Sequence, residues 1–370
     1  MIPAAQPLIG DDERAAVDAV LRSGMLAQGP EVAAFEREFG DELVAGRVCV
    51  AVNSGTAGLH LGLLAAGIGQ GDEVIVPSFT FAATANAVAL AGATPVFADI
   101  DLDTFTLDPT SVAGTITERT AAIMPVHLYG QPAELEALMT LAEQAGAVIV
   151  EDAAQAHGAT YRGRAVGSFG ACGMFSLYPT KNMTAGEGGM VSCVDEATAH
   201  RVRLLRNQGM AQQYANEVIG FNARMSDLHA AIGRVQLSKL RHWTRQRQAN
   251  AAFFDEHLNG VITPIVRGGS THVYHQYTIR LDGASAVERD RVREALAHEH
   301  QVGTGVYYPI PSHLLSSLAH LAPPHDLPNT ARAAAEVLSL PVHPAVTEAD
   351  RERIVVAVNT VLAAGLGGTA

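Results

Sequence analysis

A lysine at the end of an apolar segment is the first feature of this sequence that suggests chemistry. Lys181 follows the run GMFSLYP (173–179) and precedes the glycine-rich stretch NMTAGEGG. A phosphate-binding P-loop is excluded, because its glycines precede the lysine and a serine or threonine follows it. The chain has 23 arginines and one other lysine, Lys239, so arginine fills the ordinary cationic positions. A lysine kept at position 181 indicates an amine that must lose its proton, which arginine cannot do.

Two further segments end in polar residues at comparable places. In VIVEDAAQAHGA (148–159), Glu151 and Asp152 follow a very apolar run. A carboxylate there could be a base, a metal ligand, an ion-pair partner or a cap for the next helix, and spacing leaves these alternatives open. In AVNSGTAGLH (51–60), a Ser-Gly-Thr turn leads into a helical segment, where it could bind a phosphate or simply cap the helix.

The segments that must position these residues are of two alternating kinds. Continuously apolar, β-rich runs predict buried strands at 47–52, 72–77, 94–100, 121–127, 147–153 and 173–179. Helical segments lie between several of them, at 56–67, 80–92 and 133–146. The repetition of strand, helix and strand predicts an α/β fold with a mainly parallel central sheet flanked by helices. Ligands bind such sheets where strands end and helices begin, which is where the three candidate segments lie.

The pattern changes after about residue 225. The segment 226–258 predicts one long amphipathic helix or two in tandem, which would carry the chain out of the first domain. Beyond it we predict a mixture of strands and helices: strands at 272–281 and 302–308, and helices at 286–299, 329–338 and 347–363. We therefore expect a large α/β domain over residues 1–245 and a smaller C-terminal α+β domain over residues 246–370.

The composition is that of a globular protein and argues against several classes of function. Of the 370 residues 48% are hydrophobic and 17% charged, and the net charge of −13 argues against a nucleic-acid partner. The three cysteines, Cys49, Cys172 and Cys193, match neither a disulfide framework nor a zinc site, and no metal site is expected. No segment resembles an export signal or a membrane span, so a cytoplasmic location without a membrane partner is expected.

A lysine, an aspartate and a phosphate-type turn at strand ends together meet the needs of pyridoxal phosphate. The lysine forms a Schiff base with the aldehyde of this cofactor and later moves protons. The aspartate keeps the pyridine nitrogen protonated, so that the ring accepts electrons, and the turn holds the phosphate. We therefore interpret the three segments as parts of one cofactor site.

The same segments, with several others, resemble the DegT/StrS group of fold-type-I pyridoxal-phosphate enzymes, which are chiefly nucleotide-sugar aminotransferases. The similarity covers about residues 7–360. Its most specific stretches, all in the same order, are NSGTAGLHLGL, VPSFTFAATANAVALAGATPVFADID, VHLYGQP, EDAAQAHGA, FSLYPTKNMTAGEGG, LRNQGM and GFNARMSDLHAAIG. The resemblance implies a fold-type-I aminotransferase that forms a homodimer with shared active sites.

The resemblance also implies roles for residues around the cofactor ring. Lys181 would form the Schiff base, and Asp152 would pair with the pyridinium nitrogen. Gln155, one helical turn beyond Asp152, would contact the 3-oxygen of the ring, and Phe81 would stack on the ring. Without the resemblance, core packing would be the ordinary interpretation of Phe81 and loop polarity that of Gln155.

A second set of residues is implied at the phosphate. On the same chain, the phosphate would be bound by Gly55, Thr56 and Ser176. Asn222 would reach the phosphate of the neighbouring subunit's cofactor, so its role depends on assembly. Glu187 and His157 lie within matched stretches, but the resemblance assigns no role to either.

One departure from the family pattern concerns the substrate. Many relatives carry His-Tyr-Pro ahead of Pro-x-His, whereas this chain has Tyr307, Tyr308 and Pro309, followed by Pro311 and His313. The departure leaves open which sugar is bound, and whether a 3-keto or a 4-keto group is aminated.

The expected activity is transamination in two half-reactions, from an amino acid, glutamate by family habit, to a nucleotide-linked 3-keto or 4-keto (deoxy)sugar. A cyclitol or another cyclic ketone is an alternative acceptor. Some relatives dehydrate or deoxygenate sugars, and a histidine can replace the lysine in them, so Lys181 favours transamination. A non-catalytic regulatory homologue is a further alternative, which the intact Lys181 and Asp152 oppose.

Overall fold

Helices and strands alternate along the chain in a computed structural model, which describes residues 1–321 and 326–365. The helices are α1 (Asp11–Ser23), α2 (Pro30–Leu43), α3 (Gly55–Ala65), α4 (Ala83–Leu90), α5 (Pro109–Thr115), α6 (Leu135–Ala145), α7 (Glu196–Arg206), α8 (Asp227–His257), α9 (Ala286–His298), α10 (Pro328–Glu336) and α11 (Glu348–Ala363). The strands are β1 (Val48–Val52), β2 (Glu73–Pro77), β3 (Thr94–Ala98), β4 (Thr120–Ile123), β5 (Val148–Asp152), β6 (Thr160–Tyr161), β7 (Arg164–Ala165), β8 (Cys172–Ser176), β9 (Gly189–Cys193), β10 (Met210–Gln212), β11 (Ala215–Asn216), β12 (Ser270–Thr271), β13 (Tyr277–Arg280) and β14 (Val337–Leu340).

Seven of the strands form one sheet, in the order β1-β9-β8-β5-β4-β2-β3. The pairs of β2 with β3, β2 with β4, β4 with β5 and β5 with β8 are parallel, whereas β9 runs antiparallel to both β1 and β8. Every strand of the sheet except β9 therefore points the same way, and their carboxyl ends lie at one edge. This arrangement confirms the predicted α/β fold with a mainly parallel central sheet.

The residue types explain why these segments form the sheet. β2 and β8 are buried along their whole length, and β1 and β5 are buried except at their first residue. Valine and isoleucine dominate β1, β2 and β5, and such side chains suit strands that are covered on both faces. The apolar helix α3 packs on β8 and against α4, so helices cover the sheet that they connect.

A second hydrophobic core lies in the C-terminal part of the chain. β13 and β14 pair antiparallel within it, and α8, α9 and α11 cover them. Its fully buried side chains include Phe254, Tyr277, Ile279, Leu296, Leu338, Leu340, Ile354 and Val358. Strands and helices thus mix here as expected for an α+β unit.

Helix α8 joins the two parts without interruption. The Ser226 hydroxyl caps it by accepting from the N–H of His229, and the helix continues for 31 residues. The sequence left open one helix or two in tandem, and the structure has one. Residue 245, the predicted domain boundary, lies inside this helix, so the division into 1–245 and 246–370 stays a prediction. Among the described residues, no helix combines the length and apolar character needed to cross a bilayer.

The strand predicted at 302–308 is wrong. Gly305 pairs with Ser339 of β14 in an isolated bridge, but the segment does not continue as a strand. Val302 forms its own isolated bridge with Ile2, so the segment pairs with two different partners and forms no continuous ladder.

Two other predicted elements are shorter than expected. The strand predicted at 272–281 is reduced to β13, and before it the N–H of Val273 bonds to the carbonyl of Gly130 in the loop after β4. The helix predicted at 329–338 ends two residues early. Val337 begins β14 instead, since its branched side chain is buried in a sheet position.

The end of β5 is fixed by a buried carboxylate. Glu151 accepts hydrogen bonds from the backbone N–H groups of Gly167 at 2.6 Å, Phe169 at 2.6 Å and Gly170 at 3.1 Å. Its fourth partner is Nε2 of His127, at 3.1 Å. Burial raises the pKa of Glu151, but the hydrogen bonds from His127 and the loop outweigh it, so the pKa lies below its usual value. The ionised carboxylate therefore ties the loop before β8 to the sheet.

Replacing this carboxylate should destabilise the fold. Glu151→Gln is expected to cost about 2 kcal/mol or more, because an amide NH2 cannot accept from buried N–H groups. The pKa of Glu151 is lower in the folded protein than in the unfolded chain. The contribution of this carboxylate to stability is therefore present above about pH 4.5, and it is lost as the pH falls through the folded-state pKa. Urea-unfolding midpoints measure the difference. Glu143→Gln, on the exposed surface of α6, is the matched control and should leave the midpoint unchanged. Equal midpoints for Glu151→Gln and the wild type would contradict this account.

Candidate active site

A cavity of about 390 Å³ opens at the carboxyl edge of the sheet. This volume falls in the range of roughly 300–1,000 Å³ that is typical of small-molecule sites. The C-terminal part contributes His275, Gln276, Tyr307 and Tyr308 to its wall. Seven of the eight residues that the resemblance assigns to the cofactor also line it: Gly55, Thr56, Phe81, Asp152, Gln155, Ser176 and Lys181.

The turn between β1 and α3 forms one corner of the cavity. The Ser54 hydroxyl accepts from the N–H of Ala57 at 3.1 Å and so caps the helix. The N–H groups of Gly55 and Thr56 keep no acceptor within the described part of the chain. A Cβ on Gly55 would lie 3.0 Å from Cβ of Ser176, so the turn sits directly against the end of β8. Free N–H groups, the helix dipole and a hydroxyl converge here, an arrangement that binds phosphate.

Asp152 faces the cavity, whereas its neighbour Glu151 faces the other side of the sheet. Oδ2 of Asp152 accepts from the hydroxyl of Thr84 at 2.9 Å, and Oδ1 accepts from the N–H of Ala154 at 3.1 Å. Burial raises the pKa of Asp152, while these two hydrogen bonds and the charge of Lys181 oppose that effect. Of the two carboxylates that the sequence left undecided, Asp152 is therefore the one available to a ligand.

The pKa of Lys181 is lower than that of an ordinary lysine. Burial lowers the pKa of Lys181 to about 8, and the negative charge of Asp152 opposes this shift. Such an amine is partly unprotonated near neutral pH, whereas an exposed lysine has a pKa of about 10.4. Lys239 is different, since its ammonium group lies 2.8 Å from Glu13 and 3.2 Å from Asp12, where α8 packs on α1. Of the two lysines, the cavity thus holds the one whose pKa is lowered.

The side-chain amide of Gln155 forms hydrogen bonds with two tyrosines. Its Oε1 accepts from the N–H of Tyr129 and its Nε2 donates to the hydroxyl of Tyr308, both at 2.8 Å. The two rings lie 6.3 Å apart and nearly parallel, with an interplanar angle of 15°. Both residues have positive φ, 57° at Tyr129 and 61° at Tyr308. The orientation of the Gln155 amide is therefore fixed by its surroundings.

Phe81 lies at the cavity with 62% of its surface exposed. It is therefore not part of the hydrophobic core, which would be the ordinary place for a phenylalanine. Tyr178, 48% exposed, lies at the same cavity. Exposed aromatic faces at a cavity are available to a flat ligand.

Asn222 is the predicted site residue that lies outside this cavity. It is exposed, and its backbone carbonyl accepts from Nδ2 of Asn53 at 3.5 Å. Its role in a neighbouring subunit stays a prediction. The preceding segment exposes apolar side chains, with Tyr214 88% and Ile219 91% exposed.

The residues without an assigned role occupy different environments. Glu187 lines the cavity from its exposed side. His157 is fully buried, with its ring 5.4 Å from that of Phe175, and burial lowers its pKa to about 3. Nδ1 of His313 lies 2.5 Å from the hydroxyl oxygen of Ser78, away from the cavity wall. Glu187 is therefore the one of these three that can touch a ligand in the cavity.

Sequence reasoning missed residues that support or line the cavity. Thr84 follows Thr80 by one helical turn, and its position early in a helix at a strand end could have marked it. His275 and Gln276 lay in a segment interpreted as a strand, with no signal that they face a site. Tertiary contacts alone bring them to the cavity.

Comparison with known proteins extends these observations. A family model described as the DegT/DnrJ/EryC1/StrS aminotransferase family matches residues 7–359. The chain is 42% identical over 352 residues to the dTDP-3-amino-3,4,6-trideoxy-alpha-D-glucose transaminase of Streptomyces venezuelae, covering 93% of this chain and 90% of that protein. It is 39% identical over 365 residues to the GDP-perosamine synthase of Caulobacter vibrioides, covering 97% of each.

Solved structures agree with the predicted fold class. DesV from S. venezuelae, in complex with a ketimine intermediate, matches with a TM-score of 0.90 at 40% identity, over 97% of this chain and 98% of that one. NtdA from Bacillus subtilis with bound cofactor PMP matches with a TM-score of 0.87 at 29% identity, over 95% and 81%. Sequence and structure match over nearly the whole chain, and the protein belongs to the DegT/DnrJ/EryC1/StrS aminotransferase family.

Proposed function

We propose that this aminotransferase uses pyridoxal phosphate to move an amino group from an amino acid, glutamate, to a nucleotide-linked 3-keto or 4-keto sugar. The observation that carries the proposal is one cavity that combines a half-buried lysine, a buried aspartate and a helix-start turn with free N–H groups. The substrate class is supported by the names of relatives, a GDP-perosamine synthase and a dTDP-aminosugar transaminase.

The cavity fits the phosphate end of pyridoxal phosphate, the cofactor of this family. We assign the phosphate to the free N–H groups of Gly55 and Thr56 and to the hydroxyl of Ser176. The close approach of Gly55 to Ser176 supports this assignment, because a Cβ on Gly55 would crowd the Ser176 side chain. The phosphate's negative charge would meet the positive end of the α3 dipole rather than a cationic side chain.

The cavity also fits the ring of the cofactor. We assign the protonated ring nitrogen to Asp152, whose carboxylate is buried without a cationic hydrogen-bond partner. The Gln155 amide has a second N–H besides the one donated to Tyr308, and we assign it to the 3-oxygen. The exposed face of Phe81 would cover the ring.

Lys181 would carry the proton in each half-reaction. When bound, pyridoxal phosphate supplies an aldehyde carbon that accepts the amino group and a ring that stabilises negative charge at the reacting carbon. With its pKa lowered to about 8, Nζ of Lys181 is present in both protonation states near neutral pH. A group that first accepts and then donates a proton needs such a pKa. A positive ring nitrogen beside Asp152 would lower the pKa of this carboxyl group and keep it ionised.

We also propose a homodimer in which each subunit completes the site of the other. Among the described residues that line the cavity, Lys181 is the one Lys or Arg, whereas a nucleotide diphosphate is anionic. Groups from a second copy would add donors, and Asn222 is an exposed candidate. The apolar side chains exposed next to it, Tyr214, Ile219 and Phe221, favour burial in an interface.

Removing the amine should abolish transamination. Lys181→Ala is expected to slow turnover by about 10³-fold or more, because it lacks both the nucleophile and the proton carrier. Borohydride should fix the cofactor of the wild type on the peptide that contains Lys181, as measured by mass spectrometry. Lys239→Ala, which changes the lysine outside the cavity, should retain wild-type turnover and labelling. Normal turnover by Lys181→Ala would end the proposal.

Attachment of the cofactor should have a distinctive pH dependence. The unprotonated amine attacks the aldehyde, so the rate should rise about tenfold per pH unit below about pH 8 and level off above it. An ordinary lysine would continue to rise to about pH 10. Stopped-flow absorbance after mixing cofactor-free protein with pyridoxal phosphate measures the rate. A rate still rising tenfold above about pH 9 would show that burial does not depress this pKa.

The acceptor is tested with a panel of ketones. Holoenzyme and glutamate are incubated with nucleotide-linked 3-keto sugars, nucleotide-linked 4-keto sugars and a cyclitol ketone. We expect an aminated product from at least one nucleotide-linked sugar, detected by mass spectrometry together with 2-oxoglutarate. Product from the cyclitol ketone alone would exclude a nucleotide-sugar substrate.

A further inference from the structure

Two consecutive tyrosines line the same cavity, although neighbouring side chains of an extended chain point to opposite sides. The φ of +61° at Tyr308 turns the backbone and leaves the rings of Tyr307 and Tyr308 6.2 Å apart, at 47°. A bulky residue in the left-handed region is strained, and such strain concentrates at functional sites. The turn therefore serves to present the ring of Tyr307 as well as that of Tyr308 to the cavity.

The ring of Tyr307 rests on the backbone of Gly305. A Cβ on Gly305 would lie 2.6 Å from Cε2 of the ring and 3.0 Å from its hydroxyl oxygen. Gly305 exchanges two backbone hydrogen bonds with Ser339 of β14, at 2.9 Å and 2.8 Å. Because β14 belongs to the second core, the surface under the ring is rigid. Tyr307 is thus held in one position.

The side chain of Gln276 lies at the same cavity as Tyr307 and interacts with its hydroxyl. Burial raises the pKa of Tyr307, and a hydrogen bond from the Gln276 side chain partly offsets that effect. The hydroxyl therefore stays protonated and accepts from the amide, which leaves its own proton free to be donated. Gln276 is itself 5% exposed, and its N–H bonds to the carbonyl of Tyr129 at 3.2 Å.

Several polar groups of the cavity are engaged within the protein. The amide of Gln155 bonds at both ends, and both oxygens of Asp152 accept hydrogen bonds. Nδ1 of His275 is bonded to Asn182. The hydroxyl of Tyr308 is directed to Gln155, which belongs to the cofactor in our assignment. Of the two adjacent tyrosines, Tyr307 is the one whose hydroxyl does not contact a group that we assign to the cofactor.

Resting on the proposed function, we infer that Tyr307 is a specificity-determining residue whose hydroxyl donates a hydrogen bond to an uncharged oxygen of the keto sugar. A neutral hydroxyl matches a sugar hydroxyl or carbonyl group. The carboxylates of glutamate are matched best by cations, which Tyr307 does not supply. The half-reaction with the amino acid should therefore be independent of this hydroxyl.

The two half-reactions are measured separately on the holoenzyme by stopped-flow absorbance, with glutamate and then with the best acceptor among dTDP-, UDP- and GDP-linked 3-keto and 4-keto sugars. Tyr307→Phe removes the hydroxyl and keeps the ring. We expect about a tenfold lower kcat/KM for the sugar and a change below about twofold for glutamate. Calorimetry with the aminated sugar product should show a similar increase in Kd.

Two further variants sharpen this test. Tyr161→Phe removes a hydroxyl that bonds to Glu134 outside the cavity, at 3.2 Å, and should leave both half-reactions unchanged. Gly305→Ala keeps the hydroxyl of Tyr307 but displaces its ring, and should reproduce the selective loss with the sugar.

The outcomes separate this inference from the function on which it rests. If the wild type aminates a nucleotide-linked sugar and Tyr307→Phe does so equally well, the inference is overturned and the proposed function stands. An equal loss in both half-reactions also overturns the inference, because the hydroxyl would then serve the cofactor or the fold. A wild type that reacts with glutamate but with no sugar of the panel overturns both.

Discussion

The alternation of side chains at the end of β5 is the constraint on which the site depends. Successive residues of a strand face opposite sides of a sheet, so Glu151 and Asp152 enter different surroundings. Glu151 meets four donors, and its charge is satisfied within the protein. Asp152 meets two donors on the face that opens to the cavity. Because a buried carboxylate with few partners is unfavourable, the fold itself creates a place for a cationic group beside Asp152.

The acidity of Lys181 depends on a wall that the sheet does not supply. Burial, the main cause of its lowered pKa, requires that the carboxyl edge of the sheet be covered. The cover comes from His275, Gln276, Tyr307 and Tyr308, which flank strands of the second core. A parallel sheet alone would leave the lysine in water, with an ordinary pKa. The C-terminal part therefore contributes to the lowered pKa by reducing the exposure of the lysine to solvent.

The sequence was informative where buried strands end. Continuous apolar runs followed by polar residues located Lys181 and the Glu151–Asp152 pair, because parallel strands covered on both faces have this pattern. The pattern could not choose between the two carboxylates, and the family resemblance supplied that choice. The sequence pattern was also wrong at 302–308, where β-forming residues predict a strand. The isolated bridges of this segment go to Ile2 and Ser339, which are distant in sequence, and local β-propensity does not predict such pairings.

The contacts of Gln155 link the parts of the cavity that we assign to the cofactor and to the sugar. The Gln155 amide joins Tyr129 to Tyr308, and the stacked rings hold both residues at positive φ. Releasing Tyr308 to an extended conformation would remove its bond to Gln155 and turn Tyr307 out of line with Gly305. The backbone here cannot adapt to a new sugar without disturbing the group assigned to the cofactor. Selection for a different sugar would therefore act through the side chain at position 307, which can change while the two clamped tyrosines stay in place.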